Sequence, residues 1–303
     1  MSFAFSIFDD TDNSTVANLT PVYRLLDELG LRTTKSVWPL RGPGNPGVAI
    51  SGETLEDGCY RDFVVELKRR GFEIALHGVR NGSAVRERTI EGLEVYERAL
   101  GHPPMLHTNH SPNRDNMYWG SDRFTNGLVA FLTGLRRPGS GNFGGHLEQS
   151  EYFWGDLCRE RIKYLRNLVF DDTNLNAVNP SMPYRNPSTQ HVNYWFSSTD
   201  GADVQRFCAA ISEKKQDQLE REDGVCIVYT HFSSGFVVDS KVHPRFEALM
   251  RRLTRKEGNF QTVGRLLDQL LDQRVGKSAQ VSCTAWSCDG CARSYSRAAP
   301  DRA

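Results

Sequence analysis

Five groups of ionisable side chains stand directly behind apolar runs: Asp9, Asp10 and Asp12; His77; His107 and His110; Asp171 and Asp172; and His231. Carboxylates and imidazoles are the donor types that hold a divalent cation and carry protons. Asp9 and Asp10 are adjacent and Asp12 follows closely, so their like charges repel unless a cation or a shared proton relieves them. Taken singly, each group has a plainer reading. The aspartates suit a turn or a helix cap, His77 suits a core imidazole, and His231 suits the edge of a core. They make one site only if the fold brings five strand ends together.

The preceding elements supply that condition. Ser6–Phe8, Thr33–Val37, Phe72–Leu76, Pro104–Leu106, Leu165–Phe170 and Val225–Thr230 read as short buried strands. Helical spacing follows Thr20-Pro21 (Val22, Leu25, Leu26, Leu29) and recurs over Tyr60–Arg70, Arg86–Leu100 and Val204–Leu219, with one or two further helices in Phe246–Leu271. Strands without polar alternation, separated by helices, predict an α/β fold with a parallel sheet covered by helices. In such a barrel or open sheet all strands end on one face, so distant residues share a pocket. The stretch from about Tyr118 to Tyr164 is aromatic-rich and lacks a period, which leaves the strand count open there.

Charge narrows the partners. Lys plus Arg is 37 and Asp plus Glu is 37 in 303 residues, so no global field draws the chain to nucleic acid or an acidic membrane. No apolar run is long enough to span a bilayer. The apolar first eight residues meet Asp9 and Asp10 with no basic region before them, which predicts a buried first strand and a cytoplasmic protein. Seven cysteines, with Cys59, Cys158, Cys208 and Cys226 far apart, suit reduced thiols. No P-loop, no G-x-G-x-x-G opening a helix and no G-x-S-x-G occurs, so nucleotide-dependent and serine-hydrolase readings lack support. The pattern predicts a folded domain over 1–276 and a disordered tail over 277–303. In that tail Cys288 and Cys291 have C-x-x-C spacing, and Cys283 makes a third thiol with no histidine nearby to complete a zinc set.

In order and spacing, residues 3–273 resemble the polysaccharide deacetylase family, carbohydrate esterases on a distorted (β/α) barrel of seven or eight parallel strands. Ile7-Phe8-Asp9-Asp10 resembles its first motif, Phe72–His77 the strand into its second, and Cys226–His231 its last, an apolar strand closed by histidine. The resemblance implies a metal-dependent hydrolase that removes an N- or O-acetyl group from a carbohydrate, with zinc or a similar divalent ion. Asp9 would be the general base, Asp10 and His77 metal ligands, and His231 the general acid. The family's second histidine, four residues after the first, is Asn81 here, and His107-Thr108-Asn109-His110 stands where it usually carries an arginine. His107 or His110 is then the replacement ligand, with Asp12 a further oxygen donor. Asp12, Asn81, Asp172 and Trp119 are the candidate substrate contacts, although the aromatic run around Trp119 otherwise suits a core. The implied partner is an acetylated sugar or polysaccharide precursor, small or lipid-linked if the protein is cytoplasmic. Two other readings stay open: a glycosidase pairing Asp9 or Asp10 with Asp171 or Asp172, and a carbohydrate-binding protein with a degenerate site.

Overall fold

Seven parallel strands, each followed by a connection over the outside, run in sequence order around a closed barrel. They are β1 (Ala4–Asp9), β2 (Thr34–Val37), β3 (Glu73–Leu76), β4 (Leu106–His107), β5 (Tyr164–Phe170), β6 (Tyr194–Asp200) and β7 (Val225–Thr230). The computed structural model describes residues 2–43, 51–110, 113–120 and 143–274. The predicted tail with Cys283, Cys288 and Cys291 lies outside the described residues.

Closure comes from β1 pairing with β7 from Ala4↔Val225 to Asp9↔Thr230. The other edge of β1 is divided. β2 meets it only at Phe8 and Asp9, while the short strand Asn259–Phe260 fills in at Ala4 and Phe5. That displacement of β2 is the distortion in the barrel.

Period-two alternation sorts each strand into lumen and outer face. Ala4 and Phe8 pack with Ala75, Leu106, Tyr164, Phe196 and Ile227 in the lumen. Phe5 and Ile7 pack outward among Leu19, Val22 and Leu26 of α1 (Val16–Glu28). The helix over 263–274 contributes Val263, Leu266 and Leu267 to the lumen cluster. Its first turn rests on β2 and β3: Glu73 accepts the Gly264 N–H at 2.9 Å and the Thr34 hydroxyl proton at 2.7 Å, and Thr34 Oγ1 accepts the Val263 N–H at 2.9 Å.

Several boundaries differ from the sequence reading. α1 begins at Val16, ahead of Pro21, because Thr15 and Asn18 form a reciprocal capping box. A cap of this kind is worth about 1 kcal/mol, which offsets part of the main-chain bond forfeited at Pro21. The single helix predicted over Val204–Leu219 is two, Val204–Ala210 and Glu213–Arg221. The Gln216 amide bridges the break by donating to Ile211 O at 2.9 Å and Leu249 O at 3.1 Å. β6 is absent from the strands that the sequence pattern predicts, since Ser197, Ser198 and Thr199 break its apolar run, yet all three are buried.

Candidate metal centre

The same alternation decides which strand-end residues reach the mouth. Phe8 faces the lumen, so Asp10 does too, and Asp9 between them faces out. The Asp9 carboxylate is fully buried behind the barrel wall. Its Oδ1 accepts the Phe232 N–H at 2.9 Å; its Oδ2 accepts the Tyr23 hydroxyl proton at 3.0 Å and faces Lys35 Nζ at 3.1 Å. Asp9, assigned as base by resemblance, is therefore engaged on the outer face, away from the lumen.

Asp10 is held by Arg166 of β5 through two contacts, Nη1 to Oδ1 at 3.2 Å and Nη2 to Oδ2 at 2.5 Å. The guanidinium lies between the rings of Phe8 (5.1 Å) and Tyr229 (4.5 Å). Burial pushes the Asp10 carboxyl up, but the charge and hydrogen bonds of Arg166, together with His77 and His231, outweigh it and hold the group below the usual range. The resemblance made Asp10 a metal ligand; in the structure its carboxylate is the partner of Arg166.

Asp12 is the carboxylate that meets the imidazoles. One donor atom each from Asp12, His77 and His110 lie within 4.8 Å of one another. Asp12 Oδ1 is 3.2 Å from His77 Nε2 and 3.5 Å from His110 Nε2. Four bonds of about 2.1 Å to a tetrahedral ion put neighbouring ligands roughly 3.4 Å apart. Asp12 Oδ1, His77 Nε2 and His110 Nε2 are also buried polar atoms with no hydrogen-bond partner among the described residues. A shared cation would satisfy all three lone pairs at once, so this donor set fits a divalent metal.

Local structure fixes each donor. Directly after β3 the chain turns at Gly78, whose φ of +62° is in the left-handed region that favours glycine. The loop beyond β4 is tied by reciprocal bonds of 2.9 Å between the Asn109 side chain and the Met117 backbone, and Asn116 Nδ2 donates to His110 O at 3.0 Å. His110 Nδ1 lies 3.4 Å from Asn113 Oδ1, which assigns the ring proton to Nδ1 and leaves Nε2 as the ligating lone pair. The Asp12 loop is held from the far side, where Ser233 Oγ donates to Asp12 O at 2.5 Å.

His231 completes the mouth. Its Nδ1 donates to Ala202 O at 2.8 Å, and its Nε2 faces Asp12 Oδ2 at 3.5 Å. Burial lowers its pKa, but the Asp12 and Asp10 carboxylates outweigh that and raise it to about 9. His231 and Asp12 are 16% and 17% exposed while His77 and His110 are 3% exposed, so the centre opens to solvent on the His231 side.

The remaining candidates lie elsewhere. His107, on the outer face of β4, packs edge-on against Trp154 at 5.1 Å and is not in the donor group. Burial pushes its pKa down to about 3. Asn81 is half-buried in the turn after β3. Trp119 is half-buried, and Asp171 and Asp172 are exposed beyond β5. Sequence reading missed Arg166, Lys35 and Asn113. For the first two there was a signal: a lone cation inside an otherwise apolar or β-branched strand has to find an anion when it is buried.

No family model matches the chain, and no curated protein matches it. Solved structures do. The chain is similar to the peptidoglycan deacetylase PdaC from Bacillus subtilis, at 11% identity over 93% of this chain and 97% of that one, TM-score 0.46. It is also similar to PuuE allantoinase, at 11% identity over 88% and 89%, TM-score 0.47. A third is a family 4 acetyl xylan esterase from Clostridium thermocellum with a bound cobalt ion, at 10% identity over 88% and 91%, TM-score 0.42.

Proposed function

We propose that the chain is a metal-dependent hydrolase that removes an acetyl group from a carbohydrate amide or ester. The observation that carries this is the meeting of Asp12, His77 and His110 at unsatisfied lone pairs, beside an Arg-held carboxylate and the His231 ring. When bound, a divalent ion supplies Lewis acidity and brings the pKa of water toward neutrality. Asp10 is the lumen-facing carboxylate placed to take a proton from the attacking water, and Arg166 fixes its orientation. His231 is placed to give a proton to the departing amine or alcohol, with Ala202 O holding its ring. A glycosidase would need a second free carboxylate across the mouth. Asp171 and Asp172 are exposed, and Asp12 faces three imidazoles.

The test is metal content and turnover together. Protein purified without chelator should hold about one divalent ion per chain. Asp12→Asn should lose it, and Asp10→Asn should keep it while deacetylation of an N-acetylated oligosaccharide stops. A folded wild type that takes up no divalent ion, or an Asp12→Asn variant with full metal and activity, would overturn the reading. A chain that binds metal and sugar but never deacetylates would be a binding protein instead.

A further inference from the structure

Behind the barrel wall, on the face opposite the metal centre, an ion pair is buried without any exposure of either side chain: Lys35 Nζ and Asp9 Oδ2, 3.1 Å apart. A buried pair is a weak source of stability compared with apolar residues of the same shape. What distinguishes this one is where its remaining bonds go. Lys35 Nζ also donates to Ser14 Oγ at 3.1 Å and to Asp10 O at 3.4 Å, the two sides of the loop that carries Asp12. Asp9 accepts from the Phe232 N–H at 2.9 Å, next to His231, and from the Tyr23 hydroxyl at 3.0 Å. Ser36 Oγ donates to Asp9 O at 3.1 Å, which binds the pair to the neighbouring strand.

From these bonds we infer that Asp9 and Lys35 are positioning residues, a strut that sets the Asp12 loop and the His231 loop at a fixed separation across the mouth. The inference rests on the metal reading of Asp12, His77 and His110. The strut touches neither substrate nor ion. Lys35 fixes the 10–14 segment from below through a backbone carbonyl and a hydroxyl. Asp9 fixes the 231–232 segment through a backbone N–H. Because one salt bridge joins both, a change at either end is felt at the other, and Asp12 and His231 keep the 3.5 Å relation seen here.

The experiment uses cobalt(II), whose visible bands report coordination geometry, on the full chain. Lys35→Met alone would strand a buried carboxylate, so the informative variant is the neutral pair Asp9→Asn/Lys35→Met. It should remain folded by circular dichroism, bind cobalt roughly 10- to 100-fold more weakly, as for the loss of outer-shell partners, and show altered visible bands. Tyr23→Phe keeps both charges and the aromatic packing, and should weaken cobalt binding several-fold with an unchanged far-ultraviolet spectrum. Wild-type affinity and wild-type bands in both variants would overturn the strut while leaving the metal centre intact. Wild-type protein that takes up no cobalt would overturn the metal reading and the strut with it.

Discussion

Replacing Arg166 by Met should uncover how much the buried Asp10 charge depends on it. The Asp10 and Arg166 side chains are 2% and 8% exposed and meet through two contacts, so water cannot replace the lost partner. Removing one member of such a pair costs about 3–5 kcal/mol. The pH dependence follows from Asp10. In the wild type its carboxyl is below the unfolded value, so its contribution is present above about pH 3.9 and fades as pH falls through the lower folded value. In the variant the guanidinium is gone while burial, the largest single influence on the carboxyl, remains, so the folded value is expected to rise above the unfolded one and the penalty to grow with pH. Both trends widen the gap toward neutrality. Urea unfolding followed by tryptophan fluorescence, with chelator present in every sample, should give a gap of about 3–5 kcal/mol near pH 7 that narrows toward pH 4. Asp10→Asn/Arg166→Met should recover most of it, since the desolvated charge is gone. A neutral-pH gap under about 1 kcal/mol, or one that does not narrow in acid, would show that the pair does not carry the energy assigned to it.

Two further outcomes follow. His110→Ala should lower zinc affinity by at least about tenfold, whereas His107→Ala should leave it unchanged and cost only packing against Trp154; calorimetric titration separates them, and equal losses would put the ligand assignment in error. Asp115, which accepts the Ala84 N–H at 2.9 Å, is raised by burial to about 6, so the folded state keeps a proton that the unfolded chain has lost. Wild-type stability relative to Asp115→Asn should fall by up to about 3 kcal/mol from pH 4 to pH 6 and then level off; a difference that stays flat across that window would rule out a raised carboxyl.

Much of the architecture was legible because it is written in local pattern. The helix predicted over Arg86–Leu100 has those same ends in the structure, and the apolar runs ending at Asp9, His77 and His231 are barrel strands. β6 was hidden because buried Ser and Thr look like a loop when read one residue at a time. That acids and histidines collect at strand ends was equally plain, and so was the need for a cation or a proton among Asp9, Asp10 and Asp12. Which of them meets the imidazoles was not. A strand of a parallel barrel is apolar on both faces, so it carries no alternation to tell lumen from outer wall. Asp9 and Asp10, or His107 and His110, thus stay equivalent candidates until the closure of β1 on β7 sets the parity of every strand. Parity then sends Asp9 to Lys35 and Asp10 to Arg166, and the turn beyond β1 carries Asp12 to His77 and His110.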